Sequence, residues 1–439
     1  MKSINTYPRV LIVSHNPFSH THNNGKTFSA FFKGWSKENI AQLYLTTDVP
    51  DFTICEKFFQ LNDVDILKRA FLNRQVQGRR VTYSDLSKMN SFKSKIRASL
   101  ALKILRNNVS PLFQLAKDIL WNIGGYKTKE LKKFIDEFNP QVVFFHSYKD
   151  VYAFSLAKWI YKTNYIPLII LTTDDYVSGK FTLDPFFWIQ LIRVRRAFKT
   201  AILASDCVVA IGEKMAAEYK SRFGGNYIVA MNAIDNLELP ARRPLNGTVK
   251  FLYAGNLGLN RWKVLALIAE CMKELHHEEG MNGELSIYSL IEPRAKELLL
   301  LNVPPFSSYK GALTTDELNN AKANSDVLVH VESFDKKNRH ITRLSISTKI
   351  SEYLASRRCI FAVGPEDVAS MQYLVNYDLG VTVMSDNKTN IKAALKKLIN
   401  DSKLRTSYAD KGVEVARIRH DAGKTAMSIF QIISTAVNR

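Results

Sequence analysis

The stretch YAGNLGLNRWKVLALIAECMKEL, from Tyr253 to Leu275, has the pattern of a strand end, a glycine-containing turn and an amphipathic helix. Apolar residues recur at helical spacing after Val264. Gly255 and Gly258 fall in the turn, where residues without a side chain let the backbone approach a ligand closely. This order of strand, turn and helix is typical of parallel sheets with helices on both faces.

The same alternation of short apolar runs and amphipathic segments continues along most of the chain. In the first half, the runs are too short and too uniformly apolar for surface strands, which predicts strands buried on both faces. The predicted strands are residues 9–14, 41–47, 141–147, 167–173, 206–212 and 227–232, followed by 250–255, 284–289, 326–331, 359–364 and 380–385. The sequence after Asn387 is predicted to be helical.

A break in this alternation divides the chain. Residues 235–248 contain two prolines, a glycine and polar residues. We therefore predict two Rossmann-like, doubly wound α/β domains, residues 1–240 and 241–420, with a final helix at 421–439 that crosses back to the first domain. Ligands of such sheets bind beyond the carboxyl ends of the strands, so the cleft between the domains is the expected site.

Composition narrows the class of protein. The 439 residues are 46% hydrophobic and 23% charged, as in globular proteins. The four cysteines are far apart, without the spacing of a zinc site or a disulfide framework, which favours a reducing cytosol. The N-terminal apolar run is short and predicts a first strand rather than a secretory signal. No apolar run approaches the length of a membrane span.

Positive charge is concentrated in one segment. The chain carries a formal charge of +20, and residues 66–133 contain 16 lysines and arginines against three acids. Apolar residues are interspersed among these cations. The segment is consistent with a solvated helix pair or with attachment to anionic lipid headgroups. No nucleic-acid-binding motif is recognisable, so nucleic acid is not the expected partner.

Two predicted helix starts carry cations where the helix dipole favours an anion. Arg261 begins the helix after the glycine turn, and Lys349 lies in SISTKISEYLAS, residues 345–356. A phosphate is a natural ligand of a helix start, and a cation there strengthens its binding. We therefore predict one diphosphate bound by both cations. Glu352, one turn further, would accept hydrogen bonds from ribose hydroxyls.

YAGNLGLNR, SISTKISEYLAS and the arrangement of the two domains resemble retaining GT-B glycosyltransferases of family four (group 1), particularly bacterial members that build capsular and surface polysaccharides. The resemblance implies that Arg261 and Lys349 neutralise the donor diphosphate. It identifies Glu352 with the second glutamate of the E-x7-E pattern, which holds the ribose. The first glutamate of that pattern is replaced by Leu344, which leaves recognition of the transferred sugar in question.

The resemblance extends to further site residues, each with a structural alternative. Glu332 could supply the missing carboxylate or be a solvated loop acid, and Gly25 could approach the donor or simply lead into a helix. His146, at a strand end, is similar to the histidine held near the transferred sugar, although a lone histidine is more often structural. The remaining predicted donor contacts are Gly255, Asn256, Gly258, Ser347 and Thr348. Asp174 and Asp175 are predicted to contact the acceptor or to cap the next helix.

Together with these residues, the resemblance implies transfer of a sugar, with retention, from a nucleotide diphosphate to a glycan or polyprenyl-linked acceptor. Two cations and helix N-termini would stabilise the leaving diphosphate, so neither a metal nor a cofactor is expected. The expected location is the cytoplasm, peripherally on the inner face of the cell membrane. The alternatives are a nucleotide-sugar epimerase or phosphorylase of the same fold, and a non-catalytic lipid- or nucleic-acid-binding protein.

Overall fold

The computed structural model describes residues 7–19, 23–72, 75–86, 110–180, 182–235 and 247–439. The chain forms two compact units: unit 1 comprises Met1–Met231 and Ala422–Arg439, and unit 2 comprises Asn232–Asp421. The boundary predicted at 240/241 falls outside the described residues, as does much of the basic segment, residues 87–109.

Unit 1 contains a twisted sheet with the strand order β4-β3-β2-β1-β5-β6-β7-β8. Every neighbouring pair is parallel except β3 and β4. Its strands are β1 (Val10–Ser14), β2 (Ile40–Tyr44), β3 (Lys57–Gln60), β4 (Arg79–Val81), β5 (Val142–His146), β6 (Leu168–Thr172), β7 (Cys207–Ala210) and β8 (Tyr227–Val229).

Helices cover both faces of this sheet. Numbered along the described chain, they are α1 (Asn23–Phe31), α2 (Asp63–Phe71), α3 (Pro111–Gly124), α4 (Lys129–Phe138), α5 (Val151–Asn164), α6 (Pro185–Ala204), α7 (Glu213–Phe223) and the final helix, α16 (Ala422–Val437). Local sequence sets their starts: Asn62 and Asp65 form a capping box on α2, and Asp184 caps α6 before Pro185.

Unit 2 has an all-parallel sheet with the order β11-β10-β9-β12-β13-β14. Its strands are β9 (Val249–Ala254), β10 (Gly283–Tyr288), β11 (Ser307–Tyr309), β12 (Val327–Val331), β13 (Cys359–Val363) and β14 (Val381–Val383). Its helices are α8 (Arg261–Glu279), α9 (Ala295–Leu301), α10 (Thr315–Ala323), α11 (Lys336–Thr342), α12 (Thr348–Ala355), α13 (Ala369–Asn376), α14 (Lys388–Asn400) and α15 (Ser402–Arg419).

The predicted fold class is confirmed. All eleven predicted strands are present, and β1, β2, β5, β6 and β7 are buried along their whole length, as the apolar runs require. The predictions missed β3, β4 and β11. These strands have only three or four residues, and each carries polar or charged side chains, so they lack a recognisable apolar run.

The last helix belongs to unit 1. Ile429, Ile432 and Ile433 of α16 lie in the same buried cluster as Val10 of β1 and Phe28 of α1. A chain segment more than 400 residues from β1 in sequence thereby completes the core around the first strand.

Ile433 provides a test of this packing. Its side chain is 0% exposed, so Ile433→Ala should leave a cavity and lower the free energy of unfolding by about 2–5 kcal/mol. Met427→Ala, on the same helix but 58% exposed, is the control and should change it by less than about 0.5 kcal/mol. Denaturant titration measures both; equal effects would contradict the assigned packing.

Candidate active site

The strand order of unit 2 creates one crevice at the carboxyl edge of its sheet. From β9 the chain adds β10 and β11 on one side, then returns to add β12, β13 and β14 on the other. Connections therefore diverge between β9 and β12, and such a switch point is where open α/β sheets bind ligands. Gly255 follows β9 and Glu332 follows β12, so both lie at this crevice.

Arg261, the first residue of α8, makes a bidentate contact with Glu332. Its Nε and Nη2 donate to Oε2 of Glu332 at 3.2 and 2.9 Å. The Glu332 side chain is 3% exposed, which excludes the alternative of a solvated loop acid. Burial raises the pKa of the Glu332 carboxyl, while Arg261 and then Lys349 lower it. The carboxylate thus offsets part of the repulsion between the Arg261 cation and the helix dipole.

Lys349, the second residue of α12, reaches the same crevice from the other side. A methyl group on Gly255 would lie 1.6 Å from its Nζ, so only glycine leaves room for the lysine. Its Nζ also lies 5.1 Å from the centroid of the Tyr253 ring. In the described chain, no side chain caps the start of α12 after Ser347.

Arg261 affects the protonation of Lys349. Burial, followed by repulsion from Arg261, lowers the Lys349 pKa to about 8, against the opposing effect of Glu332 and Glu352. Two cations and one buried carboxylate leave a net positive pocket. The structure therefore brings together the two cations that the sequence placed 88 positions apart.

The sequence analysis missed His330, which completes this pocket. It lies two residues before Glu332 and therefore on the same face of the chain, with Nε2 3.5 Å from Oε1 of that carboxylate. Burial, then the charges of Arg261 and Lys349, lower its pKa to about 3, so the ring is neutral at physiological pH. The sequence did contain a sign of this residue: in VHVES, His330 and Glu332 alternate with valines at the end of a strand.

The remaining predicted donor residues lie on the glycine turn after β9 and at the start and in the first turns of α12. Glu352 is 29% exposed, and its Oε2 lies 3.7 Å from Nζ of Lys322. Asn256 Oδ1 accepts from the Gly258 amide at 2.7 Å, which shapes the glycine turn. The amide of Ser347 donates to Ser370, and Thr348 begins α12.

Leu344 does not reach a ligand. Its side chain is 0% exposed and belongs to the apolar interior of unit 2. The position that carries a glutamate in the E-x7-E pattern is therefore a core position here. In the described residues of this pocket, the buried carboxylate near both cations is that of Glu332.

Two predicted residues of unit 1, His146 and Gly25, lie near its own switch point, between β1 and β5. His146 ends β5 with 1% exposure, and its Nε2 lies 3.0 Å from Thr173 Oγ1. Burial, then His15, lowers its pKa to about 3, which keeps the ring neutral. Gly25 is the third residue of α1, where a methyl group would lie 2.5 Å from the Pro17 carbonyl oxygen, so close packing alone requires glycine there.

Asp174 and Asp175 shape the loop after β6. The Asp175 carboxylate accepts from the amides of Val177 and Ser178, at 3.1 and 3.0 Å, and from the Tyr219 hydroxyl. Asp174 accepts from the Tyr176 hydroxyl at 3.0 Å and is partly exposed. Neither aspartate caps α6, whose cap is Asp184.

A second group of polar residues at this switch point was also missed. His15 directly follows β1 and stacks on Tyr148 with ring centroids 4.6 Å apart. Its Nδ1 lies 3.9 Å from Oδ2 of Asp150, which is also 3.9 Å from Nζ of Lys117. Burial lowers the His15 pKa against the effect of Asp150. Its position at the end of VLIVSH matches that of His146 at the end of VVFFH, and this repeat was the available signal.

Two searches of the described residues bear on other chemistries. No group of three or more His, Cys, Asp or Glu side chains could hold a metal ion there. No helix in the described part of the chain has both the length and the apolar character needed to span a bilayer.

Comparison with known proteins identifies the fold. No protein-family profile and no curated protein sequence matches this chain. Solved structures do match. One is sucrose-phosphate synthase from Thermosynechococcus elongatus, with 11% sequence identity and a TM-score of 0.60; the match covers 97% of this chain and 98% of the synthase. The α,α-trehalose 6-phosphate synthase of Burkholderia multivorans has 11% identity and a TM-score of 0.61, with 98% of both chains covered.

A third similar structure is that of Anabaena HepE, solved in complex with UDP and glucose. It has 10% identity and a TM-score of 0.61, and the match covers 98% of this chain and 100% of that one. At these identities the likeness concerns the fold, and over nearly the whole chain that fold is GT-B.

Proposed function

We propose that this protein is a glycosyltransferase that moves a sugar from a nucleotide diphosphate donor to a glycan or lipid-linked acceptor. The observation that carries the proposal is the convergence of Arg261 and Lys349 on one pocket at the switch point of unit 2. A pocket with excess buried positive charge suits a ligand with several negative charges, such as a diphosphate. The names of similar structures support UDP as the nucleotide, since they include complexes with UDP and with UDP-glucose.

In this proposal, the cations act on the leaving group. Cleavage of the bond between the sugar and the diphosphate leaves negative charge on the β-phosphate oxygen, where Lys349 and Arg261 would stabilise it. Because these side chains supply the positive charge, we propose that no metal or cofactor is needed. Glu352 would bind the ribose. The nucleotide would be surrounded by Gly255, Asn256 and Gly258 of the glycine turn and by Ser347 and Thr348 at the start of α12.

Glu332 has a different role in this proposal from that of the family glutamate. It neutralises Arg261 in the free protein, and a diphosphate would compete with it for the guanidinium. Release of its carboxylate beside the diphosphate would supply the acceptor for sugar hydroxyls that Leu344 cannot provide.

We assign the acceptor side to unit 1. Neutral His146, with Gly25 beside the loop after β1, would face the transferred sugar, and partly exposed Asp174 would accept from acceptor hydroxyls, positioned by the loop that Asp175 holds. The proposal also includes retention of configuration and a role in surface or capsular polysaccharide synthesis. It places the protein in the cytoplasm beside an anionic membrane surface.

Lys349→Met tests the assignment. Loss of one charged contact should weaken UDP binding by about 10- to 100-fold and turnover by roughly 10²–10³-fold. The melting temperature should stay within a few degrees, because the buried ammonium costs free energy in the unliganded protein. Calorimetric titration with UDP measures binding, and Lys296→Met, on the surface of α9, is the control. Unchanged UDP affinity in Lys349→Met would remove the diphosphate site.

The Lys349 pKa predicts how affinity depends on pH. At pH 7 the ammonium is charged and UDP binds fully; above about 8 binding must first add a proton, so affinity should fall by about tenfold per pH unit. Lys349→Met should lack this decline between pH 8 and 9.5. If the UDP affinity of the wild type stayed the same between pH 8 and 9.5, the lysine would not contact the nucleotide.

Gly255→Ala tests the geometry without removing the cation. The new methyl group would displace Nζ of Lys349, so UDP affinity should fall by about as much as in Lys349→Met. If both changes act through the same ammonium, the double variant should bind no worse than either single variant. Additive losses would show that Gly255 acts in another way.

The reaction itself is tested with UDP-sugars and candidate acceptors. Transfer should need the acceptor, whereas full conversion of the nucleotide sugar without acceptor would indicate an epimerase instead.

A further inference from the structure

Helix α3 buries two polar side chains together with Trp121 and exposes three apolar ones. Its polar residues Gln114 and Asp118 are 9% and 1% exposed, whereas Leu112, Ile119 and Ile123 are 54%, 55% and 56% exposed. The three apolar side chains lie on one face, because positions 112, 119 and 123 are separated by whole turns. A surface helix normally buries its apolar face and exposes the polar one.

Helix α6, beside α3, buries an apolar side formed by Leu191, Val194, Phe198 and Ile202, but it also exposes apolar side chains. Phe186, Trp188, Ile189 and Ile192 are between 41% and 48% exposed, while Gln190 is 8% exposed. The two helices meet through the buried Asp118 carboxylate. Its Oδ2 accepts from Gln190 Nε2 at 3.0 Å and lies 3.2 Å from Nη1 of Arg193.

Buried Asp118 and Gln190 thus bond to each other between the helices, while seven apolar side chains of the two helices are exposed. We call this surface the apolar face; it comprises Leu112, Ile119, Ile123, Phe186, Trp188, Ile189 and Ile192. An exposed patch of this kind on a folded protein marks an interaction surface.

Charge identifies the partner. Arg196 and Lys199 are exposed on α6, just beyond the apolar residues, and Lys180 Nζ lies 4.7 Å from the Phe187 ring centroid at its start. The chain as a whole carries +20. An apolar surface with a basic rim and an indole at its edge suits the headgroup region of an anionic bilayer. A second copy of the same chain would bring like charges together.

We propose that the apolar face docks on an anionic lipid bilayer, with Trp188, Ile189 and Ile192 entering the headgroup boundary and Arg196 and Lys199 contacting lipid phosphates. The docking rests on the proposed function in one respect: its role would be to bring unit 1 to a lipid-linked acceptor. It assigns the contact to exposed apolar side chains of α3, which lies within the basic segment of residues 66–133, and of α6, which lies outside it.

Vesicle sedimentation tests the docking. The wild type should pellet with phosphatidylglycerol vesicles at low salt and much less with phosphatidylcholine vesicles. Replacement of four apolar side chains by polar ones, in the variant Ile119→Gln/Ile123→Gln/Ile189→Gln/Ile192→Gln, should reduce binding to the vesicles. We expect the partition coefficient between vesicle and solution to fall by at least about tenfold. Leu299→Gln/Ile418→Gln is the control, since both positions are exposed apolar residues of unit 2.

UDP titration separates this proposal from the glycosyltransferase proposal. The quadruple variant should keep the wild-type UDP affinity, which also shows that it is folded, whereas Lys349→Met should keep vesicle binding. Three results would overturn the docking: no pelleting of the wild type, equal pelleting with both lipids, or an undiminished partition coefficient in the quadruple variant. A wild-type dimer in solution that the four substitutions dissociate would assign the apolar face to a second copy of the chain instead.

Discussion

Arg261 and Lys349 hold two positive charges in one largely buried pocket, and the proposed chemistry of unit 2 depends on this repulsive pair. Each cation loses hydration and gains a like-charged neighbour, which is why the Lys349 pKa falls to about 8. Glu332 offsets one charge through its bidentate contact with Arg261. The apolar core of the unit offsets the remaining free-energy cost of burying two like charges, and binding of an anionic ligand would reduce that cost.

Two glycines at strand ends make this concentration of charge sterically possible. A methyl group on Gly255 would overlap Nζ of Lys349, and one on Gly364, which follows β13, would lie 2.9 Å from Cβ of Glu332. The pocket therefore lies directly against the main chain at both places. Such close packing holds the Lys349 ammonium in place, and a preorganised charge stabilises developing negative charge more effectively than a mobile one.

The two units use equivalent positions in contrasting ways. Each places polar side chains where its strand order reverses, beyond β1 and β5 in unit 1 and beyond β9 and β12 in unit 2. In unit 1, His15 and His146 have lowered pKa values because of burial, so this end of the sheet presents neutral rings. Unit 2 presents fixed cations. Neutral imidazole rings suit hydrogen bonding to sugar hydroxyls, and fixed cations suit phosphate.

The sequence by itself determined the elements and the residue types at their ends. Apolar runs and helical periodicity are local patterns, so they gave eleven strands, the helix starts at Arg261 and Lys349, and the α/β class. Strand β11 was missed because its residues, Ser307–Tyr309, form no apolar run, whereas the equally short β8 and β14 do. Only the tertiary structure decided that Gly255 and Glu332 follow neighbouring strands and that this glutamate is buried. It also placed Leu344 in the core and left three apolar side chains of α3 exposed. These features depend on pairing between distant segments, which a local pattern does not encode.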